Sequence, residues 1–164
     1  MTPELSRLLA LDRIGAAGAA LTVRADPAEC AAVALRLQIP AVAALACSFR
    51  LRRVGEAVIE AAGTLDAVVT QVCVASLEEF AQPVHETFTL HFVPAGSEDD
   101  DPDPASIDQV PFSGSALDLG EAAVEQLALA LDPYPRMPGV ALPPEWADPA
   151  GNPFAALSDL RHKQ

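Results

Sequence analysis

The sequence predicts an α+β fold: a curved antiparallel β-meander, open or half-barrel in outline, packed with two helices and followed by an extended Pro-rich tail. Two observations predict it. Leu45 to Val93 reads as three long β-segments in succession, joined by short turns that favour antiparallel pairing. Two separate stretches carry helix start signals followed by apolar residues at helical spacing. The length of 164 residues suits one domain. The expected limits are 1–132 for the α+β domain and 133–164 for a strap with a short terminal helix.

In chain order, Glu4 to Ile14 alternates weakly and is read as an opening strand, with Gly15 to Ala20 as a small-residue turn. Leu21 to Arg24 is a short second strand. Asp26, Pro27 and Glu29 then supply a cap, a first-turn proline and a capping-box partner. Cys30, Val33, Ala34 and Leu37 form the buried stripe of that helix, and Pro40 ends it.

The central stretch starts at Leu45. Leu45, Cys47, Phe49 and Leu51 alternate with Ala46, Ser48, Arg50 and Arg52, the pattern of a half-buried strand with a basic outer face. Arg53 to Glu56 is a hairpin turn with Gly55 in the left-handed region. The return strand, from Val58 to about Val74, puts Ile59, Ala61, Leu65, Ala67, Val69, Gln71 and Cys73 on one face. Its last part is expected to be covered on both sides, and Gly63 is the expected bend. Leu77 to Ala81 reads as a turn or short helical connection. The third strand, Val84 to Val93, turns Val84, Phe88, Leu90 and Phe92 inward and His85, Thr87, Thr89 and His91 outward.

The acidic residues Glu98, Asp99, Asp100, Asp101 and Asp103 lie in a run read as a disordered loop over about 97–112. Asp118 and Glu121 have capping-box spacing before the second helix, whose stripe is Val124, Leu127, Ala128 and Leu131. Asp132-Pro133 stops it. Seven prolines between Pro133 and Pro153 predict an extended strap, and Asn152-Pro153 caps a short helix carrying Phe154, Leu157 and Leu160.

The net charge is −13, all of it in residues 76–164, where 16 Asp/Glu meet 3 Arg/Lys; residues 1–75 are neutral. Such asymmetry suggests a partner for one half. It disfavours RNA, whose affinity comes from Lys and Arg displacing counterions. No signal peptide is expected and no apolar run of 18 residues exists, so no membrane is expected. Three scattered cysteines, Cys30, Cys47 and Cys73, fit free thiols in a reducing cytoplasm.

Three ordered stretches carry a resemblance. They are Val69-Thr-Gln-Val-Cys-Val-Ala-Ser-Leu-Glu-Glu-Phe80, Leu117–Glu121 with Leu127-Ala-Leu-Ala-Leu-Asp-Pro-Tyr-Pro-Arg136, and Asn152-Pro-Phe-Ala-Ala-Leu157. With an acidic run between the first two, the chain from about Leu5 to Leu160 resembles the YceD-like family, named for accumulation of large-subunit ribosomal RNA. The resemblance implies a non-enzymatic bacterial cytoplasmic or organellar ribosome-biogenesis factor and a large-subunit ribosomal protein as partner. Many members of that family have Cys-x-x-Cys in the first stretch, where this chain has Cys73 and Ser76. Structural zinc needs four thiolate or imidazole ligands, so no metal and no cofactor is expected.

The candidate partner-binding residues are Arg50, Arg52, Arg53, Gln71, Cys73, Glu78, Tyr134 and Arg136. The arginines form the only basic concentration, either an RNA phosphate contact or a strand face paired with Glu56, Glu60 and Asp66; pairing is preferred. Cys73 would need His85 or His91 as a base to be a nucleophile, and the preferred reading is a small buried hydrophobe. The acidic half either holds a basic ribosomal protein or serves solubility. Tyr134 and Arg136 sit between fixed prolines, and the preferred reading is a strap pinned by Tyr134 packing and an Arg136 ion pair, with recognition as the alternative.

Overall fold

The computed structural model describes residues 3–55, 57–97 and 107–140. Glu56, the acidic run 98–106 and the expected C-terminal helix lie outside the described residues. The fold is α+β. Strands β1 (Leu8–Ala10), β2 (Ala19–Arg24), β3 (Ala41–Val54), β4 (Val58–Val72), β5 (Glu79–Pro94), β6 (Asp108–Phe112) and β7 (Ala116–Asp118) join helices α1 (Pro27–Leu37) and α2 (Leu119–Ala130). One five-stranded open sheet has the order β2-β3-β4-β5-β6, antiparallel except for the parallel β5–β6 pair.

The long strands follow their alternation. Leu45, Cys47, Phe49 and Leu51 of β3 are buried, as are Ile59, Ala61, Leu65, Ala67, Val69 and Gln71 of β4. Val84, Leu90 and Phe92 of β5 complete the face, and α2 crosses it. Val42 is also buried although it is three residues before Leu45. A shift of register between Val42 and Ala44 accommodates both, so β3 starts earlier than the alternation alone suggests.

The strand neither breaks nor bulges at Gly63. The β3–β4 and β4–β5 registers run through it without a shift, as Phe49↔Gly63↔Phe88. The ring of Phe88 fills the space where a Cβ of residue 63 would lie. It meets Phe49 edge to face, with centroids 5.8 Å apart and planes at 70°.

Several other expectations are corrected. The end of β4 is not covered on both sides: Val68, Val72 and Val74 are each about two-fifths exposed on the outer face. Glu79 to Ala81 belong to β5, not to a connection. Pro83 is tolerated there because β6 pairs only with Leu90 to Pro94, leaving the far side of Pro83 without a neighbouring strand. Asp108 to Phe112 is not disordered loop but β6, which turns Val110 and Phe112 toward the core. The opening strand is three residues long and pairs with β7, 106 or more positions away in sequence.

Helix α1 has the expected capping box, with Asp26 Oδ1 accepting from the Glu29 N–H at 2.8 Å and Glu29 Oε2 accepting from the Asp26 N–H at 2.8 Å. It ends at Gln38, which has φ 56°, before Pro40 is reached. At α2, Asp118 caps as expected, but Glu121 does not complete a box. Its carboxylate takes both guanidinium nitrogens of Arg36, at 2.6 and 2.8 Å. Asp118 also accepts from the Ser6 hydroxyl and the Arg7 N–H, so the N-terminal segment is tied to the start of α2. Gly120 lies so close to Leu5, Ser6 and Arg7 that a Cβ would strike their backbone. Ala128, expected in the stripe, is exposed; Ala122 and Ala123 are buried instead.

Two predictions follow from packing and charge. Gly63→Ala should cost about 1–3 kcal/mol in urea unfolding, by forcing the Phe88 ring out of its slot. Added to Phe88→Leu, it should cost less than when made alone in the native background. Glu125 is exposed, yet partial desolvation, followed by the Glu121 carboxylate, pushes its carboxyl above the usual range. A raised folded value means that stability falls as pH rises through it. Glu125→Gln should therefore gain about 0.2–0.5 kcal/mol at neutral pH, a gain that fades below about pH 4.

Candidate functional site

Gln71, Cys73, Glu78, Tyr134 and Arg136 are brought together at the end of β4. The inward phase of β4 places Gln71 and Cys73 on the core face, one strand step apart. Beyond β4 the chain turns sharply. The Leu77 N–H donates to the Cys73 carbonyl and the Cys73 N–H donates to the Glu78 carbonyl, each at 2.9 Å. The segment after α2 then lies back across this turn and is held there by its backbone. The Val74 N–H donates to the Pro135 carbonyl at 2.9 Å, and Gln71 Nε2 donates to the Asp132 carbonyl at 3.2 Å. Gln82 Nε2 supports Gln71 by donating to its Oε1.

The Cys73 sulfur is the centre of this clasp. It accepts from the Ser76 N–H at 3.5 Å and from the Met137 N–H at 3.4 Å. The Ser76 hydroxyl, first, and these amides hold the thiol well below its ordinary value, at about 7. Burial pushes the other way and loses, although Cys73 has no exposed surface, because its cover is one turn and one strap deep. Cys73 is thus buried, as expected, but not as a plain hydrophobe. Cys30 and Cys47 behave as core thiols: burial raises both, Cys47 to about 12.

Among the described residues Cys73 has no base. His85 and His91 lie on the opposite face of the sheet, where His85 Nδ1 is 2.6 Å from Asp66 Oδ1 and His91 faces Glu60. No group of three or more potential metal ligands exists among the described residues.

Tyr134 and Arg136 do not pin the strap. Tyr134 is 73% exposed, and Arg136 is exposed with no ion pair among the described residues. The pinning is done by Pro135, which is buried, and by Met137 through its amide. The alternation of buried Pro135 with exposed Tyr134 and Arg136 is what an extended segment lying on a surface produces. Leu77, at the turn, is 78% exposed and adopts φ 61°. That conformation strains a leucine by about 1–2 kcal/mol. Nothing in the sequence pattern marks Leu77 or its exposed neighbours Val72 and Val74; the clasp brings Val74 against Pro135, the residue after Tyr134. Glu78, Glu79 and Asp132, in the same two segments, are also exposed.

The arginine candidates sit at the other end of the sheet. Arg52 Nε is 2.6 Å from Glu60 Oε1, its cross-strand neighbour, and this contact holds the Glu60 carboxyl below the usual range. Arg53 donates to the Ile14 and Leu11 carbonyls at 3.0 and 2.7 Å. Arg50 alone has no polar partner among the described residues. Asp66, expected opposite the arginines, pairs with His85 instead. The basic face is therefore largely used up in holding the fold.

The thiol makes a pH prediction. A folded value below the unfolded one stabilises the fold above the unfolded value and loses that effect as pH falls through the folded value. The stability advantage of the native chain over Cys73→Ala, in reducing urea titrations, should grow between about pH 7 and about pH 8.5. A pH-independent difference would show that the sulfur acts by packing alone.

Comparison with known families matches residues 61–161 to the family described as Large ribosomal RNA subunit accumulation protein YceD. The match covers more than half of the chain and takes in most of β4, the clasp and α2. Comparison with curated proteins and with solved structures yields no match.

Proposed function

The chain belongs to the YceD family of large ribosomal RNA subunit accumulation proteins, and from that premise we propose that it is a non-enzymatic ribosome-biogenesis factor that holds a basic large-subunit ribosomal protein. It does so in the cytoplasm, before that protein meets its RNA. The observation that carries this reading is the clasp. A strained, exposed leucine on the turn after β4 and an exposed tyrosine on the segment bonded back to that turn lie inside the family-matched region, with Glu78, Glu79 and Asp132 exposed in the same segments. Apolar anchors with an aromatic at the centre and charges at the rim are the usual anatomy of a protein-binding surface. The charge supports a basic partner, since the net −13 lies wholly in residues 76–164, which include Leu77 and Tyr134.

A thiol reaction at Cys73 is the less favoured reading, because the sulfur is covered and its hydrogen-bond partners are amides and a hydroxyl. Direct RNA binding is also less favoured, with one unpaired arginine on the basic face. No helix among the described residues is long and apolar enough to cross a membrane.

The reading is tested by pull-down of purified basic large-subunit ribosomal proteins at low and high salt, with nuclease present. Leu77→Gly should leave the fold as stable as before or more so, because glycine accepts the left-handed backbone. Combined with Tyr134→Ala, it should lower affinity by about tenfold or more, the scale of losing hot-spot side chains. Charge reversal at Arg50 should change little. Loss of an RNA-dependent signal on Arg50→Glu, with the clasp variants silent, would replace this reading with the RNA one.

A further inference from the structure

A second surface lies away from the clasp. Between β6 and α2 runs an open groove of about 520 Å³. Its floor is apolar, made by buried Phe92 and Ala122 and half-buried Phe112. Leu8 stands on its lip, 70% exposed. Three carboxylates line one side, and they differ in what they already do. Asp118 accepts from Ser6, Arg7, Gly120 and Glu121. Glu121 is taken by Arg36. Glu125 has no hydrogen bond or ion pair among the described residues. Desolvation and the Glu121 carboxylate make it harder to ionise and outweigh the opposing pull of Arg36, so this carboxylate costs the fold some stability.

An apolar floor beside an exposed carboxylate with no partner among the described residues is complementary to one kind of side chain, a long aliphatic stem ending in a cation. The five residues of β6 make one wall about 17 Å long, enough for a short extended segment to lie along it. We propose that the groove between β6 and α2 binds a Lys- or Arg-bearing extended segment of a basic protein, with the side-chain stem on Leu8 and Phe112 and its cationic end at Glu125. This rests on the reading that the chain holds a basic protein, and adds where a basic segment of it docks. An acidic segment is repelled at the same place.

The test uses the full chain, isotope-labelled, titrated with a synthetic peptide of about nine residues alternating Lys and Val. Amide shifts should cluster at Leu8, Val110 to Phe112 and Glu121 to Glu125. Glu125→Lys should weaken binding by about tenfold or more, and Glu125→Gln by several fold. Glu86→Lys, the same charge change at an exposed carboxylate on β5, should stay within about twofold. A matched Glu/Val peptide should not bind. Equal effects of Glu86→Lys and Glu125→Lys, shifts spread over the acidic surface, or no shifts at all would overturn the groove. Binding of a basic ribosomal protein that survives Glu125→Lys would also overturn it and spare the functional reading. Peptide binding in the groove with no ribosomal protein bound would spare the groove and sink that reading.

Discussion

The structure depends on one sheet face being buried while the other is not. Most core side chains of β3, β4 and β5 follow a period-two alternation, so a one-residue slip would expose most of them. The row Phe49–Gly63–Phe88 locks that register, because the ring of Phe88 can occupy only the place where a side chain is missing. Elsewhere in the face small residues such as Ala61 and Ala67 are buried. With few aromatics available, the fold gains its core from close backbone approach and branched aliphatics.

A second layer of constraint comes from the N-terminal segment. Leu5, Leu9 and Ile14 are buried, and the segment around Arg7 touches both helices. Arg7 meets Glu29 through two guanidinium nitrogens at 2.8 Å, and Arg36 joins Glu4 to Glu121. Each of these pairs is part-exposed and worth little by itself. Their value is positional, since they hold α1, α2 and the opening segment at one angle to the sheet. Asp118 adds to this by capping α2 and accepting from the opening segment at the same time.

The clasp uses a different kind of interaction. A segment rich in proline has few amides to offer and little apolar surface to bury. What holds it are three backbone groups, those of Asp132, Pro135 and Met137, and one buried proline. The arrangement frees Tyr134 and Arg136, because the residues between and after them carry the attachment. The fold thus supports two unlike surfaces: an apolar one on the clasp, where backbone strain is retained at Leu77, and a mixed one in the groove, where an unpaired carboxylate is retained at Glu125. Both retain something that lowers stability.

The amino-acid sequence by itself determined the α+β class, the long strands and their buried face, both helices with their Asp caps, and the family. These are local properties: alternation, helical spacing and capping chemistry act over a few residues and need no partner far away. Only the tertiary structure decided what Gly63 is for, where Glu121 points, that Asp108 to Phe112 joins the sheet, and that Tyr134 is free while Pro135 is bound. Each of those depends on a group distant in sequence: a ring on the next strand, a guanidinium on the other helix, the open edge of β5, the amides around a buried sulfur. Pattern in a chain records which side of an element faces inward, but not which neighbour fills the space there.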